Sequence, residues 1–321
     1  MAGRRRKKSG GRSYAWRYRG RIVACVFVEV IIICALVIMI GWNKGVKEWF
    51  EQFEQPVLKE VDISGINSPN AILMQARGGK ILGEINGEAQ IYPASMTKIM
   101  TVILGIENFD DLDEKITLTD EMFAGLYEQD ATQAGFQPGE EVRVIDLLYG
   151  AMLPSGAECC IALADTISGS EADFAELMNK KARKLGMENT HFCDSTGLHN
   201  PDHYSTVKDI AVLMKYCIKN DTFREIVETS RHSTGVTNIH PDGITYYSTM
   251  FKNLSDPTVT GGKILGGKTG YTSEAGHCLV SFAEIEGREY IFVSAGASGA
   301  DGNTIPHIQD AAVSYTHLTL P

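Results

Sequence analysis

Strand-like segments lie at both ends of the globular part of this chain, and helical patterns fill the region between them. Residues 71–74 and 81–85 flank Gly78-Gly79 and predict a β-hairpin. Strand patterns return at 264–268, 277–284 and 289–295. Helical spacing of apolar residues covers the middle, at 144–152, 158–168, 171–185 and 206–219. We therefore expect an α+β fold whose sheet is closed by the two ends of the chain.

The N-terminal region divides sharply in charge and hydropathy. Residues 1–21 contain nine Lys or Arg and no acid, so the net charge of -10 leaves about -19 on the rest of the chain. Residues 22–42 form an almost continuous apolar run, interrupted by Glu29, that is long enough to cross a bilayer as a helix. The basic residues are therefore assigned to a membrane flank rather than to nucleic acid.

The same charges predict an orientation, because a strongly basic flank stays in the cytoplasm. We expect residues 1–21 to be a basic cytoplasmic tail and residues 22–42 to be an uncleaved, single-pass transmembrane anchor. Residues 43–63 are expected to form a stalk that carries an extracytoplasmic domain at the cell membrane.

The tetrad Ser95-Met96-Thr97-Lys98 opens directly into the apolar stretch 99–104. An i, i+3 spacing places Ser95 and Lys98 on one helical face. A serine hydroxyl is a weak nucleophile until a base takes its proton. Lysine can be that base if its pKa falls, which burial beside a second cation such as Lys268 would achieve. The tetrad therefore predicts a serine acyl-enzyme site.

A second tetrad, Ser205-Thr206-Val207-Lys208, has the same spacing but a different context. Thr206 and Asp209, three residues apart, form a capping box ahead of the apolar run 210–214. A polar pair inside a core helix is costly unless it has a purpose. We therefore expect helix capping at the second tetrad and chemistry at the first.

Three motifs together carry a family resemblance. Residues 95–98, Ser155-Gly156 and Lys268-Thr269-Gly270, in that order, resemble the motifs of penicillin-binding proteins and serine β-lactamases. The segments that are similar to low-molecular-mass D-alanyl-D-alanine carboxypeptidases, the serine peptidases of family S11, are 92–95, 185–192, 196–198, 203–206 and 267–272. The resemblance covers residues 64–297 and implies a β-lactamase/transpeptidase-like fold, with an antiparallel sheet flanked by helices.

The resemblance implies a catalytic role for three residues. Ser95 would attack the carbonyl between the two terminal D-alanines of a peptidoglycan stem peptide, and Lys98 would accept its proton. Ser155 would relay that proton to the leaving D-alanine nitrogen, since a hydroxyl can donate and accept. Water would then release the acyl-enzyme.

The resemblance also implies how the substrate is bound. Lys268 and Thr269, followed by Gly270, would bind the substrate carboxylate, and the backbone amides of Ser95 and Tyr271 would form an oxyanion hole. The expected partners are stem peptides ending in D-Ala-D-Ala, with β-lactam antibiotics as covalent inhibitors. The resemblance implies no metal and no cofactor.

One position departs from the family pattern and keeps alternatives open. The second motif usually ends in Asn, whose amide orients substrate and lysine, but here Ala157 stands in its place. A serine β-lactamase is one alternative, although Glu188-Asn189-Thr190 does not supply the Glu and following Leu-Asn of class A enzymes. A non-catalytic wall-binding protein of the same fold is another, which Ala157 keeps open.

His199 and His203 have a spacing that could bind zinc on a helix. Pro201 lies between them and no third ligand is apparent, so we expect both histidines to lie in a loop.

The last segment of the chain is assigned outside the catalytic domain, which we place at residues 64–312. Residues 313–321 can be back-translated into a string that resembles a transposon end used in preparing sequencing libraries. We therefore expect the natural protein to end differently and the domain to be truncated. On that interpretation a C-terminal helix that should cover one sheet face is missing, and residues after Ala312 have no stable partner.

Overall fold

A six-stranded antiparallel sheet lies at the centre of the structure, a computed structural model that describes residues 60–254, 256–299 and 305–319. The strands are β1 (Asn70–Gln75), β2 (Ile81–Ile85), β3 (Lys115–Thr117), β4 (Glu141–Arg143), β5 (Arg231–Ser233), β6 (Thr245–Tyr247), β7 (Thr258–Val259), β8 (Gly262–Thr272), β9 (Gly276–Ile285) and β10 (Arg288–Ala297). The central sheet has the order β2-β1-β10-β9-β8-β7, and β3-β4 and β5-β6 form two small ribbons.

The central sheet joins the two ends of the domain, as the sequence predicts. Strand β1 pairs with β10, from Asn70 opposite Ala295 to Gln75 opposite Tyr290. In the hairpin β1-β2, strand β2 forms one edge of the sheet, and β10 pairs on its other side with β9. The predicted α+β fold with an antiparallel sheet flanked by helices is confirmed.

Helices occupy the middle of the chain and one further position at its end. They are α1 (Lys98–Asn108), α2 (Val144–Met152), α3 (Ala157–Ser168), α4 (Glu171–Leu185), α5 (Val207–Cys217), α6 (Asp221–Glu228), α7 (Thr249–Asn253) and α8 (Pro306–His317). The bounds of α2 and α4 match their predictions, and those of α3 and α5 differ by one or two residues at an end.

Helix α1 runs through the hydrophobic core. Every residue from Lys98 to Gly105 is buried, and the helix packs against α2 and α3. A helix that is apolar on all sides is stable only when it is surrounded in this way. The turn that precedes α1 contacts β8, so the core helix fixes the serine of the first tetrad beside a strand near the edge of the sheet.

The expectation that a C-terminal helix is missing and that residues after Ala312 have no stable partner is wrong. Helix α8 is present and packs on β9 and β10, and Tyr315 is fully buried with its hydroxyl accepting a hydrogen bond from the Phe292 amide. Ile308, Ala311 and Tyr315 are all buried and recur at helical spacing across the predicted boundary at residue 312. Tyr315 therefore has stable partners on the sheet, and Ser314 is buried beside it.

The predicted tail, anchor and most of the stalk, residues 1–59, lie outside the described residues. Within the part of the chain that the structure describes, no helix is long and apolar enough to cross a membrane. The described end of the stalk packs on the domain, because the Val61 amide donates to the Leu82 carbonyl at 2.6 Å and Ile63 is buried.

Candidate active site

Ser95 and Lys98 meet at the start of α1. Ser95 lies in a 3₁₀ turn, Ala94–Thr97, and Lys98 is the first residue of α1. Side chains three residues apart are nearly eclipsed in a 3₁₀ turn, and the Lys98 amine lies 3.0 Å from the Ser95 hydroxyl. Ala94 holds a left-handed backbone, with a φ of 48°, which is uncommon for a residue with a side chain. The predicted pairing is thus made by a tight turn rather than by an α-helical face.

Lys98 is buried and is held on its other side by a backbone carbonyl. Its Nζ donates to the Thr196 carbonyl at 2.6 Å. Burial lowers the pKa of Lys98, while Cys160, Asp194 and Glu158 act in the opposite direction. A lysine whose pKa is lowered loses its proton more readily, so the amine can act as a base towards Ser95.

A second buried lysine contacts the second serine. Lys268, in β8, is 1% exposed, and its Nζ donates to the Ser155 hydroxyl at 3.0 Å and to the Thr269 carbonyl at 2.9 Å. Burial, followed by repulsion from the charge of Lys98, holds the pKa of Lys268 well below its ordinary value. Ser155 lies between α2 and α3 with a φ of 75°. This left-handed backbone is strained for a residue with a side chain, and strained residues of this kind cluster at functional sites.

The two serines line one cleft of about 460 Å³. Ser95, Ser155 and Thr269 line it together with Gly270, and Tyr271 lies at its mouth with 61% of its surface exposed. A Cβ on Gly270 would lie 3.0 Å from the Ser95 amide nitrogen, so glycine keeps the space in front of that amide open. Lys98 and Lys268 do not line the cleft themselves, and each contacts one of the two serines that do.

Ala157 begins α3 and forms part of the wall rather than of the cleft lining. Its side chain is buried and its amide donates to the Thr132 carbonyl at 2.8 Å. The neighbouring Glu158 accepts hydrogen bonds from the amides of Ala134 and Gly135, and burial raises its pKa. The methyl group of Ala157 offers Lys98 no hydrogen bond, and Lys98 donates to the Thr196 carbonyl and to Ser95.

Sequence analysis did not assign the residues that surround Lys98. Thr196 lies in a segment quoted for the family resemblance, but a backbone carbonyl leaves no signal of its own in a sequence. His199 and His203 lie in a loop, as predicted, and His203 is in addition buried, with its ring in contact with Asp194 and Thr97. His199 lies edge-on to the Tyr92 ring, 4.8 Å away, at a different place.

Comparison with known proteins decides the family. The Peptidase_S11 profile, described as D-alanyl-D-alanine carboxypeptidase, matches residues 57–299. The chain belongs to this family. The family resemblance drawn from the three motifs is therefore confirmed.

Curated relatives in the S11 family show how much of the protein is shared. The chain is 35% identical over 231 residues to the D-alanyl-D-alanine carboxypeptidase DacF of Bacillus subtilis (strain 168), which covers 71% of this chain and 57% of DacF. It is 37% identical over 205 residues to the D-alanyl-D-alanine carboxypeptidase of Streptomyces sp. (strain K15), which covers 61% and 69%. The chain thus spans little more than half the length of DacF.

Solved structures of the family share the fold. A mutant of the Streptomyces K15 DD-transpeptidase superposes with a TM-score of 0.72 at 29% identity, over 79% of this chain and 98% of that one. The D-alanyl-D-alanine carboxypeptidase of Mycobacterium tuberculosis H37Rv gives a TM-score of 0.72 at 22% identity, over 83% and 96%. The second likeness concerns the fold alone.

Proposed function

We propose that this protein is a serine-type D-Ala-D-Ala carboxypeptidase that removes the terminal D-alanine from peptidoglycan stem pentapeptides. The observation that carries the proposal is the 3.0 Å contact between the Ser95 hydroxyl and the buried amine of Lys98, in an open cleft. Family membership supports the same reaction class.

In the first step Ser95 Oγ attacks the carbonyl carbon between the two D-alanines. Its proton passes to Lys98, whose lowered pKa allows the neutral amine to accept it. The carbonyl oxygen becomes an oxyanion, which the backbone amides of Ser95 and Tyr271 would bind. The open space beside Gly270, in front of the Ser95 amide, suits that role.

In the second step the peptide C–N bond breaks and its electron pair stays on the nitrogen. Ser155 gives this nitrogen its hydroxyl proton, and the proton that Lys98 took from Ser95 then restores the Ser155 hydroxyl, by way of Lys268, whose Nζ lies 3.0 Å from that hydroxyl. Lys98 is neutral again, D-alanine leaves with a neutral amine, and an ester remains on Ser95. Water then attacks that ester: Lys98 takes a proton from the water and passes it to Ser95 Oγ as the ester C–O bond breaks, which releases the shortened peptide.

Substrate recognition is assigned to the strand that faces the serine. Thr269 lines the cleft, and its hydroxyl lies 2.7 Å from that of Thr249. Lys268 and Thr269 would bind the terminal carboxylate, which a β-lactam also carries. β-Lactams would therefore acylate Ser95 and inhibit the enzyme.

We also propose that residues 22–42 anchor the protein in the cell membrane with the catalytic domain outside. The support is the one-sided basic charge before an apolar run of bilayer length. In intact cells, added protease should reach the domain but not an epitope placed before Arg21. Cleavage of that epitope would reverse the orientation.

The test of the activity uses the purified full-length protein and two substrates. A peptide ending in D-Ala-D-Ala should release D-alanine, while a peptide ending in D-Ala-L-Ala should not. Penicillin should form a long-lived adduct. Rapid turnover of penicillin would instead identify a β-lactamase, and neither reaction would identify a wall-binding protein without activity.

A further inference from the structure

A short loop, residues 194–197, lies behind the Ser95 tetrad and contacts it at two points. The Thr196 carbonyl accepts the hydrogen bond from Lys98 Nζ at 2.6 Å. Gly197 has a φ of +80°, and a Cβ there would lie 1.9 Å from the Ala94 carbonyl oxygen. The loop therefore packs directly on the turn that carries Ser95, and its position fixes one partner of Lys98.

One carboxylate oxygen organises this loop. Asp194 Oδ1 accepts hydrogen bonds from the Thr196 amide at 2.7 Å, the Thr196 hydroxyl at 2.8 Å and the Gly197 amide at 2.6 Å. Three donors on one ionised oxygen hold the Thr196 peptide in a single orientation. The carbonyl that Lys98 contacts belongs to the residue held in this way.

The other oxygen of Asp194 binds a buried histidine. His203 is 2% exposed, and its Nδ1 lies 3.0 Å from Asp194 Oδ2. Because a carboxylate only accepts, Nδ1 carries the proton at this contact. The other ring nitrogen, Nε2, lies 2.9 Å from the Thr97 hydroxyl. The chain of contacts thus ends in the turn that holds Ser95.

We propose that Asp194 and His203 are positioning residues for the acyl-enzyme reaction. Asp194 holds the Thr196 carbonyl against Lys98 and stabilises the ammonium group that forms when Lys98 takes the Ser95 proton. His203 keeps both the Asp194 carboxylate and the Thr97 hydroxyl in place. This inference rests on the proposed function.

The charges around Lys98 support this role. Burial by itself would raise the pKa of Asp194, but the hydrogen bond and charge of His203 and the donors of the loop lower it to about 2, so Asp194 is ionised at neutral pH. Its charge raises the pKa of Lys98. The groups of α3 that act in the same direction are Cys160, Glu158 and Cys159, and the other nearby cation is Lys268 of β8.

The chain offers a matched control for a test of Asp194. Glu171 bonds the same loop one residue away, since its Oε1 accepts from the Ser195 hydroxyl at 2.5 Å and the Ser195 amide at 3.2 Å. In Asp194→Asn the amide oxygen can keep the three bonds of the loop while the charge is lost. Glu171→Gln removes a loop carboxylate of the same kind without touching the Thr196 peptide.

The experiment measures the second-order rate of labelling by a fluorescent penicillin between pH 5 and pH 9, with full-length protein. The acid limb is the part of the profile where the labelling rate rises with pH. In Asp194→Asn this limb should move by about one unit to lower pH, because Lys98 loses an opposite charge nearby. The rate on the plateau should fall about tenfold, because the ammonium group that forms on Lys98 loses the charge that stabilises it. In Glu171→Gln the labelling rate should rise at the same pH as in the wild type, even if the melting temperature changes.

Each result decides something different. If Asp194→Asn shows the same limb and plateau as Glu171→Gln, the inference is overturned while the proposed function stands. Absence of labelling in the wild type would overturn the proposed function and this inference with it. Should Asp194→Asn not fold, His203→Asn is measured in its place. The Asn side chain can still donate a hydrogen bond to Asp194, but it loses the contact with the Thr97 hydroxyl. Its plateau should fall with the limb unmoved, and an unchanged plateau would overturn the inference.

Discussion

The two Ser-x-x-Lys tetrads have opposite surroundings. Lys98 is buried in the core with its amine 3.0 Å from the Ser95 hydroxyl. The side chain of Lys208 is 39% exposed and pairs with Glu88 on the surface. Burial lowers the pKa of Lys98, whereas the hydrogen bond to Glu88 raises the pKa of Lys208.

The difference shows that spacing alone does not make a base. Thr206 caps α5 by accepting the Asp209 amide at 3.0 Å, which confirms the capping predicted for the second tetrad. The Ser205 hydroxyl lies 2.8 Å from that of Thr190 and makes a structural contact. An amine becomes a useful base only where its surroundings disfavour the charged form, and only the first tetrad provides such surroundings.

The serine substitutions should show the largest contrast between the tetrads. Ser95→Ala should lower the release of D-alanine by about 10⁴-fold or more, because no nucleophile remains. Ser205→Ala should leave the rate within about twofold and lower the free energy of unfolding by about 1 kcal/mol, through a lost buried hydrogen bond. Activity assays and denaturant unfolding of both variants measure the two effects. Retained turnover in Ser95→Ala would remove the assignment of the nucleophile.

The lysines should differ almost as strongly. Lys98→Arg should reduce penicillin acylation by about 10³-fold, since a guanidinium stays protonated and cannot accept the serine proton. Lys208→Arg keeps a cation beside Glu88 and should acylate at the wild-type rate. Stopped-flow labelling measures the acylation rate of both variants. Equal losses at both positions would contradict the claim that only Lys98 acts as a base.

A smaller effect is expected at Lys268, which contacts Ser155 instead of Ser95. Lys268→Gln should cost about 1.5 to 3 kcal/mol of transition-state binding, the range for a charge-assisted hydrogen bond. The loss in kcat/KM should shrink for a substrate whose C-terminus is amidated. Equal losses on both substrates would show that Lys268 acts through Ser155 and not on the substrate carboxylate.

The smallest expected effect is the difference between Lys98 and Lys208 in the pH dependence of acylation. Only the neutral amine of Lys98 accepts a proton, so the acylation rate rises with pH as Lys98 loses its charge. Because burial lowers the pKa of Lys98, this rise should be centred below the ordinary lysine value of 10.5. Lys208→Met should leave the midpoint of the rise unchanged, and a shift in that variant would contradict the assignment of the base.

Much of the fold follows from local patterns in the sequence. Apolar spacing alone predicts α2 and α4 at their observed bounds. Helix α4 also has local end signals, since the Ser170 side chain caps its start and Gly186 ends it with a left-handed backbone. Pairing of β1 with β10 follows from strands at both ends. The wrong expectation concerned α8, the C-terminal helix. Ile308, Ala311 and Tyr315 have helical spacing and are buried, so the apolar pattern indicates this helix and the back-translated codons do not exclude it.

The site was only partly predictable, and the functional roles of its residues stay predictions. The motifs name Ser95 and Ser155, which line one cleft, and Lys98 and Lys268, which contact these serines. The contact of Lys268 with Ser155 and that of Lys98 with the Thr196 carbonyl join residues far apart in the chain. Such contacts depend on tertiary packing, and no pattern of spacing encodes them.

The central claim is that burial of the lysine selects one of the two tetrads for chemistry. The most direct measurement is to label the purified protein with penicillin and to identify the modified peptide by mass spectrometry. We expect one adduct per chain, on Ser95. An adduct on Ser205, or equal modification of both serines, would contradict the account.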